Sequence, residues 1–120
     1  MPIYYALLAK HTDTAIVLAE YTPYQGNFQK IAREIMGRIQ DNTMKTFELE
    51  DFFFHYINEN GLSAMCMTDK TFERKLTFAF LQDLKQSLLN VYTPRDLQNA
   101  GQNSLQTFNT TIQEKIVSVI

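Results

Sequence analysis

The sequence predicts a mixed α/β domain whose single, mainly antiparallel sheet is covered by helices on both faces. Residues 3–9 are apolar on both alternating faces, which is typical of a strand with cover above and below. The stretches 44–49, 52–59 and 62–68 alternate and are separated by turn residues, as in antiparallel meanders. Amphipathic segments with helical spacing flank this meander. The element order β-β-α-β-β-β-α-α therefore predicts five strands sandwiched between one helix and two helices.

Composition agrees with one globular domain. The 120-residue chain is 45% hydrophobic and 20% charged, which is enough for a core that needs neither a disulfide nor a metal. Its single cysteine fits a reducing compartment. The net charge is -2, and acidic residues lie among the densest basic group, Lys70, Arg74 and Lys75. We therefore expect no nucleic-acid partner, and no apolar run approaches the roughly 20 residues of a membrane span.

The first two strands are predicted at 3–9 and 14–21, separated by turn residues. Alternation places the side chains of the first strand on two faces: Ile3, Tyr5, Leu7 and Ala9 on one, and Tyr4, Ala6 and Leu8 on the other. The segment 22–26 then breaks the second strand, because it contains proline and glycine.

A helix is predicted to begin near Asn27, a residue favoured at helix N-caps, and to end at 41–43. Its apolar stripe consists of Phe28, Ile31, Ala32, Ile35 and Ile39. With Phe28 at the centre of this stripe, Met36 lies about 80° away on the flank. That position predicts the lip of a groove rather than the deepest core.

The meander begins with a predicted edge strand at 44–49, which is shorter and more polar than the first strand. Asn60-Gly61 predicts a type I′ turn, since both central positions of that turn need φ > 0. This turn would pair residues across the hairpin as follows: Glu59 with Leu62, Ile57 with Ala64, and His55 with Cys66.

Two longer helices are predicted after the meander. Asp69 is expected to cap the first, whose inner stripe consists of Phe72, Leu76, Ala79, Phe80, Leu84, Leu88 and Val91, widened by Phe78, Leu81 and Leu89. Pro94 ends this helix, and residues 93–103 are predicted to form a loose linker. The last helix begins near Ser104 and carries Leu105, Phe108, Ile112, Ile116 and Val119.

The pairing of His55 with the only cysteine, Cys66, raises the question of a catalytic dyad. A working dyad needs an exposed cleft, an orienting group and oxyanion donors. The face that the two residues share is apolar and predicted to lie under a helix, where a thiol stays protonated and inert. The four glycines form no phosphate loop, and the two histidines have no further ligands at metal-binding spacing. We therefore predict no catalytic residues, no metal and no cofactor.

Three motifs follow one another along the chain: EYTPYQGNF before an amphipathic helix, then FHYI, then CMTDKTFERKLTFAFLQDL. In this order they resemble the longin domain of the R-SNARE membrane-fusion proteins. The most specific pieces are Gly26-Asn27-Phe28, Phe54-His55-Tyr56-Ile57, and Thr68-Asp69 leading to Phe72-Glu73-Arg74. The similarity covers residues 2–116 and is greatest to the tetanus-insensitive VAMP branch and its plant relatives. The hairpin is also similar to that of the ER–Golgi longin SNARE.

This resemblance implies a profilin-like longin fold over residues 1–120, without enzymatic activity. In the family this domain precedes an R-SNARE segment and usually a C-terminal membrane anchor, so we expect the chain to be the longin domain alone. Family longins fold back on their own SNARE motif and bind sorting adaptors. The resemblance further implies Q-SNARE partners through the SNARE segment. It also implies attachment to the cytoplasmic face of endosomal, lysosomal, Golgi or secretory vesicle membranes through the anchor.

In family longins, folding back on the SNARE motif and binding of sorting adaptors both involve an apolar groove between the first helix and the third strand. Carried onto this sequence, the groove consists of Ile35, Met36, Ile39, Met44, Phe47 and Leu49. Lys45 departs from the family pattern, since animal relatives carry Leu there, and this difference bears on which adaptor binds. Edge strands and flexible methionines independently suit a surface that binds different segments. The residues alone leave a second interpretation open, in which Met36 and Met44 only seal the helix against the sheet.

A second class of function also stays open. Longin-like folds occur in the small subunits of sorting adaptors and in tethering complexes, so the chain would then be a structural subunit of such a complex. Residues beyond Ile120 would separate the two classes, because a heptad-patterned segment with a central Arg indicates a SNARE.

Overall fold

The computed structural model describes residues 3–11, 15–24, 26–38 and 42–118. The strands are β1 (Ile3–His11), β2 (Ala15–Tyr21), β3 (Thr43–Leu49), β4 (Phe52–Glu59) and β5 (Leu62–Asp69). The helices are α1 (Phe28–Met36), α2 (Arg74–Val91), α3 (Pro94–Asn99) and α4 (Asn109–Ser118), the last preceded by a 3-10 turn, Gln106–Phe108. The element order agrees with the predicted fold, with α3 as one additional short helix.

The five strands form one sheet in the order β2-β1-β5-β4-β3, and all neighbouring strands are antiparallel. β1 lies inside the sheet, as the apolar character of both its faces predicts. β3 lies at one edge, which confirms the expectation from its short and polar sequence. β2 forms the other edge.

Two separate hydrophobic clusters cover the two faces of the sheet. α1 packs over one cluster, which includes Tyr5 and Leu7 of β1, and α2 and α4 pack over the other, which includes Ala6 and Leu8. The predicted three-layer sandwich is therefore confirmed. Ile3 was placed wrongly, because it lies with Ala6 and not with Tyr5. The register of β1 against β5 shifts between Ile3 and Tyr5, and such a bulge interrupts the strict alternation of faces.

The β4–β5 hairpin closes as its turn residues predict. Asn60 and Gly61 have φ of 54° and 80°, the positive values that a type I′ turn requires. The predicted pairs Glu59 with Leu62, Ile57 with Ala64, and His55 with Cys66 lie directly opposite one another.

α1 begins at Phe28, as predicted, but it ends at Met36, with Gly37 at the C-cap. The predicted end at 41–43 was therefore too late, and Ile39 lies outside the described residues. Met36 is 0% exposed, so its predicted place on the helix flank was wrong. The buried side of the helix is centred between Ala32 and Met36 rather than on Phe28.

α2 begins at Arg74, later than the predicted cap at Asp69. The Asp69 carboxylate instead accepts hydrogen bonds from the backbone N–H groups of Thr71 and Phe72, so it closes the turn before the helix. The predicted inner residues Phe80, Leu81, Leu84 and Leu88 are buried. The other predicted stripe residues within the helix are half-buried or exposed: Leu76, Phe78, Ala79, Leu89 and Val91. The apolar stripe in the sequence was wider than the face that meets the sheet.

The stretch 93–103 is ordered, contrary to the predicted loose linker. Thr93 and Asp96 form a capping box at the start of α3. The chain then runs along the outer edge of β2, where Asn103 N donates to Val17 O at 2.7 Å and Leu105 N donates to Leu18 O at 3.1 Å. α4 and the turn before it bury their predicted apolar residues, Leu105, Phe108, Ile112 and Ile116, whereas Val119 lies outside the described residues. One edge of the sheet is thus covered by the chain itself.

Candidate partner-binding groove

α1 lies along the strand direction, beside β1. Before the helix, Thr22 Oγ1 donates to Tyr4 O at 2.6 Å. At its C-terminal end, His11 Nε2 donates to Met36 O at 3.0 Å. Tyr4 and His11 lie near opposite ends of β1, so the helix runs along this strand. Its rotation about its own axis then decides which side chains face each edge of the sheet.

The contacts of Glu20 in β2 show how the helix is rotated. Its carboxylate pairs with Arg33 Nη2 at 2.9 Å, and Gln29 Nε2 lies 3.5 Å from the same oxygen. The Tyr5 hydroxyl donates to the other oxygen, and burial, followed by this hydrogen bond, raises the pKa of Tyr5 far above its usual range. The flank of α1 that carries Gln29 and Arg33 therefore faces β2.

The opposite flank of α1 faces the other edge of the sheet. At about 100° per residue, Ile31 and Ile35 lie on the side of the helix away from Gln29 and Arg33. Both are half-buried against the cluster that contains Tyr56 of β4. Since β3 follows β4 in the sheet, this flank of α1 and the edge strand β3 lie on either side of β4 on the same face. We call this surface the α1–β3 groove and define it by Ile31, Ile35, Phe47, Leu49 and Tyr56.

β3 supplies the outer wall of the α1–β3 groove. Phe47 and Leu49 lie opposite Phe54 and Phe52 of β4, so their side chains are on the α1 face of the sheet. They are 38% and 41% exposed. The Phe47 ring stacks on that of Tyr56, with centroids 5.9 Å apart. An edge strand therefore presents two large apolar side chains to solvent beside a half-buried helix flank.

Met44 does not belong to this groove, contrary to the prediction. It lies opposite Ile57, which packs in the α2 and α4 cluster, so its 56% exposed side chain is on the face away from α1. Lys45, opposite Tyr56, takes the groove face instead. The alternation of side chains along the strand already indicated this arrangement. Lys45 and Phe47 are two residues apart and share one face, whereas Met44 lies on the other.

The six residues predicted for the groove are therefore divided. The structure brings Ile35, Phe47 and Leu49 to the groove, Met36 lies beneath it in the core, Met44 is on the opposite face, and Ile39 is outside the described residues. Sequence reasoning missed Ile31 as a groove residue, although it was part of the predicted helix stripe. The contacts of Glu20 that orient the helix join residues too distant in sequence to show in a local pattern.

Aromatic side chains extend the apolar surface beyond the groove. The ring of Tyr4 lies 5.4 Å from those of Tyr24 and Phe52, measured between centroids. Phe52 is opposite Leu49, and Tyr24 is 41% exposed. The α1 face of β3 and β4 thus joins an exposed aromatic surface at the start of β1.

The pair of His55 and Cys66 is packed in the core, as predicted. Both residues are 0% exposed, and burial raises the pKa of the Cys66 thiol well above its ordinary value. His55 Nδ1 lies 2.8 Å from Thr46 Oγ1, and Nε2 lies 2.9 Å from Thr68 Oγ1. A neutral ring donates from one nitrogen and accepts at the other, and hydroxyls can fill both roles. Burial, and secondarily Arg74, lowers the pKa of His55 to about 4, so at neutral pH it is satisfied by hydroxyls and not by the thiol.

Other chemical sites find no support in the part of the chain that the structure describes. Its His, Cys, Asp and Glu side chains form no group of three or more that could hold a metal ion. None of the helices in these ranges is long and apolar enough to span a bilayer. The candidate site that the geometry offers is the apolar surface beside the open β3 edge of this two-sided sandwich.

Comparison with known proteins agrees with this architecture. Residues 18–112 match the family model named Longin and described as a regulated-SNARE-like domain. The chain belongs to the longin family, as its motifs predicted. This membership also confirms the expectation that the domain is not an enzyme.

Relatives come from several kingdoms. Vesicle-associated membrane protein 7B of Dictyostelium discoideum is 33% identical over 114 residues, which are 94% of this chain and 43% of that protein. Vesicle-associated membrane protein 711 of Arabidopsis thaliana is 32% identical over 77% of this chain, and vesicle-associated membrane protein 7 of Mus musculus is 31% identical over 79%. The similarity covers 42% of each of these two proteins, so the chain spans less than half the length of its curated relatives. These relatives agree with the predicted resemblance to the tetanus-insensitive VAMP branch and its plant members.

Proposed function

We propose that this longin domain regulates and sorts a vesicle R-SNARE by binding an apolar segment in the α1–β3 groove. The segment comes from the SNARE motif of the same protein or from a sorting adaptor. The observation that carries the proposal is the exposure of Phe47 and Leu49 on the α1 face of an edge strand. Aromatic anchors of this kind contribute most of the free energy when an interface desolvates them.

The edge of β3 also offers backbone groups to such a segment. Glu50 and Asp51 join β3 to β4 as a two-residue turn, so the closing pair Leu49 and Phe52 exchanges backbone hydrogen bonds, and every second pair does the same. The N–H and C=O groups of the intervening residues, Met44, Thr46 and Glu48, therefore point away from β4. A bound segment can add to the sheet along these groups while its side chains enter the groove.

The role of the whole protein follows from the same proposal. Its SNARE segment would assemble with Q-SNAREs, and its anchor would hold it on vesicle membranes of the endosomal, lysosomal, Golgi or secretory routes. The longin domain would then control when that segment is available and which vesicle carries it.

A titration tests the groove directly. The isotope-labelled domain is mixed with overlapping peptides that cover the part of vesicle-associated membrane protein 7B outside the matched region, and amide shifts are followed by NMR. We expect shifts along β3 and α1. Phe47→Ser should weaken binding by about 2 kcal/mol or more, roughly thirtyfold, because it removes the aromatic anchor from the groove.

Leu76→Ser is the matched control, since Leu76 is 50% exposed on α2, on the other side of the sheet. It should leave the affinity unchanged. Shifts confined to α2 and α4, or binding that survives Phe47→Ser, would contradict the proposal. The failure of every peptide to bind would rule out the SNARE motif as the occupant.

A further inference from the structure

A cavity of about 570 Å³ lies on the other face of the sheet, between the β4–β5 turn, α2 and α3. Its apolar walls come from three directions: Leu62, Leu89, Pro94 and Leu97. Lys10 fixes one wall, because its Nζ donates to Leu97 O at 3.1 Å and to Gln98 O at 2.9 Å. We call this space the hairpin–helix cavity. Its volume lies within the range of ligand pockets, roughly 300–1,000 Å³.

Lys85 of α2 lines this cavity and is 7% exposed. Its Nζ lies 3.6 Å from Glu59 Oε1, beyond normal hydrogen-bond distance. Gln82 Nε2 donates to the same oxygen at 2.9 Å, so Glu59 is shared between two partners. No other acceptor of the Lys85 ammonium occurs among the described residues. Since an ammonium has three N–H donors, Lys85 retains donors for a ligand.

Desolvation of Lys85 is unfavourable in this state. Burial lowers its pKa, and Glu59 offsets only part of that effect. A second acidic group in the cavity would complete the environment of the ammonium, because buried charges are stabilised by several charge-assisted hydrogen bonds. Lys85 would then bridge Glu59 and the ligand.

Four residues with side-chain amides also line the hairpin–helix cavity: Asn60, Gln82, Gln86 and Gln98. The Nε2 groups of Gln82 and Gln86 already donate to Glu59 and Asn90, which leaves their amide oxygens as acceptors. Each amide both donates and accepts hydrogen bonds, as a peptide backbone does. Amide groups around an apolar space suit a peptide better than a simple alkyl carboxylate, whose chain has no polar groups to pair.

We propose that the hairpin–helix cavity binds a peptide segment in which an acidic residue stands next to a large aliphatic residue. The carboxylate pairs with Lys85 Nζ, the aliphatic side chain packs between Leu89 and Leu97, and the amides hold the backbone. This site lies on the α2 face of the sheet, so it is separate from the α1–β3 groove and does not depend on the function proposed there.

The test uses small probes and amide shifts of the labelled domain. The probes are the blocked peptide acetyl-Gly-Leu-Glu-Gly-amide, the same peptide with Gln in place of Glu, and hexanoate. We expect the Glu peptide to shift amides at 59–62, 85–89 and 94–98, and to bind about tenfold more tightly than the Gln peptide. Hexanoate should bind more weakly than the Glu peptide.

Lys85→Gln should remove the preference for Glu over Gln. Leu89→Ser should weaken both peptides several-fold, and because Leu89 is 44% exposed this variant tests the wall without entering the core. Lys115→Gln is the control, since Lys115 pairs with Asp83 elsewhere on α2 and should leave binding unchanged. Phe47→Ser should also leave it unchanged.

Three results would overturn the proposal. The first is that millimolar peptide shifts no amides around the cavity, the second is equal binding of the Glu and Gln peptides, and the third is a preference for Glu that survives Lys85→Gln. Hexanoate binding as tightly as the Glu peptide would assign the cavity to a small carboxylate instead. Loss of binding in Phe47→Ser would assign the peptide to the α1–β3 groove.

Discussion

Lowering the pH from about 7.5 to about 5 should destabilise the domain by about 2 kcal/mol through His55. The ring is fully buried, and hydroxyls of Thr46 and Thr68 satisfy both nitrogens in the neutral form. Protonation would turn both nitrogens into donors and place a charge in the core beneath Phe78, whose ring centroid lies 5.7 Å away. Burial and Arg74 therefore lower the pKa of His55 from 6.5 to about 4.

The lowered pKa of His55 determines that acidification reduces the stability of the fold. As the pH falls, the unfolded chain takes up a proton at His55 before the folded protein does, which favours unfolding. The contribution of neutral His55 to the free energy of unfolding is complete above about pH 6.5. It is lost progressively down to about pH 4, by about 1.4 kcal/mol for each pH unit. At about pH 5 most of the unfolded chains and few of the folded molecules carry the proton, which gives the loss of about 2 kcal/mol.

The assay is urea unfolding at several pH values between about 5 and about 7.5. This window isolates the histidine from Asp69, because hydrogen bonds, that from the Thr71 hydroxyl first, lower the pKa of this carboxyl and move its titration to more acidic pH. His55→Gln should be less stable at neutral pH but should lose about 2 kcal/mol less on acidification. An equally steep loss in His55→Gln, or an NMR titration of His55 near pH 6.5, would refute the reasoning.

Two further predictions concern the core. Cys66 should react with thiol reagents no faster than global unfolding exposes it, and Cys66→Ala should cost about 1–2 kcal/mol in urea unfolding; rapid native-state labelling would contradict its burial. Phe80→Ala should destabilise the domain by about 3–5 kcal/mol, because Phe80 lies on the buried side of α2 and is 3% exposed. Leu76→Ala, on the exposed side of the same helix, should cost less than about 1 kcal/mol. An equal loss for both variants would show that the rotation of α2 is wrong.

Much of the architecture is determined by local sequence pattern. Alternation and turn chemistry act between neighbouring residues, so Asn60-Gly61 was sufficient to predict the register that sets His55 opposite Cys66. The same reasoning identified β3 as an edge strand, since a strand with few apolar residues gains little from burial in a sheet. The prediction that Cys66 is buried followed from that register and the apolar face, and the residue is 0% exposed.

Part of the candidate site could also be predicted from the sequence. Phe47 and Leu49 were assigned to the groove by the resemblance, and the alternation of β3 agrees with that assignment in placing both on the α1 face. Strict application of that alternation would have replaced Met44 by Lys45. Here the resemblance to a family and the local pattern disagreed, and the pattern was right about the face.

Tertiary structure alone decided the rotation of α1 and the cover of the β2 edge. The apolar stripe of α1 does not by itself show which of its residues lies deepest, and in the structure Met36 is buried and Ile31 is half-buried, while Arg33 pairs with Glu20 on the other flank. The stretch 93–103 contains turn residues typical of a linker, yet Asn103 donates to Val17 and protects an edge strand that lies far away in sequence. Local patterns report the preferences of neighbouring residues, whereas these contacts depend on which distant groups the folded chain brings within hydrogen-bond distance.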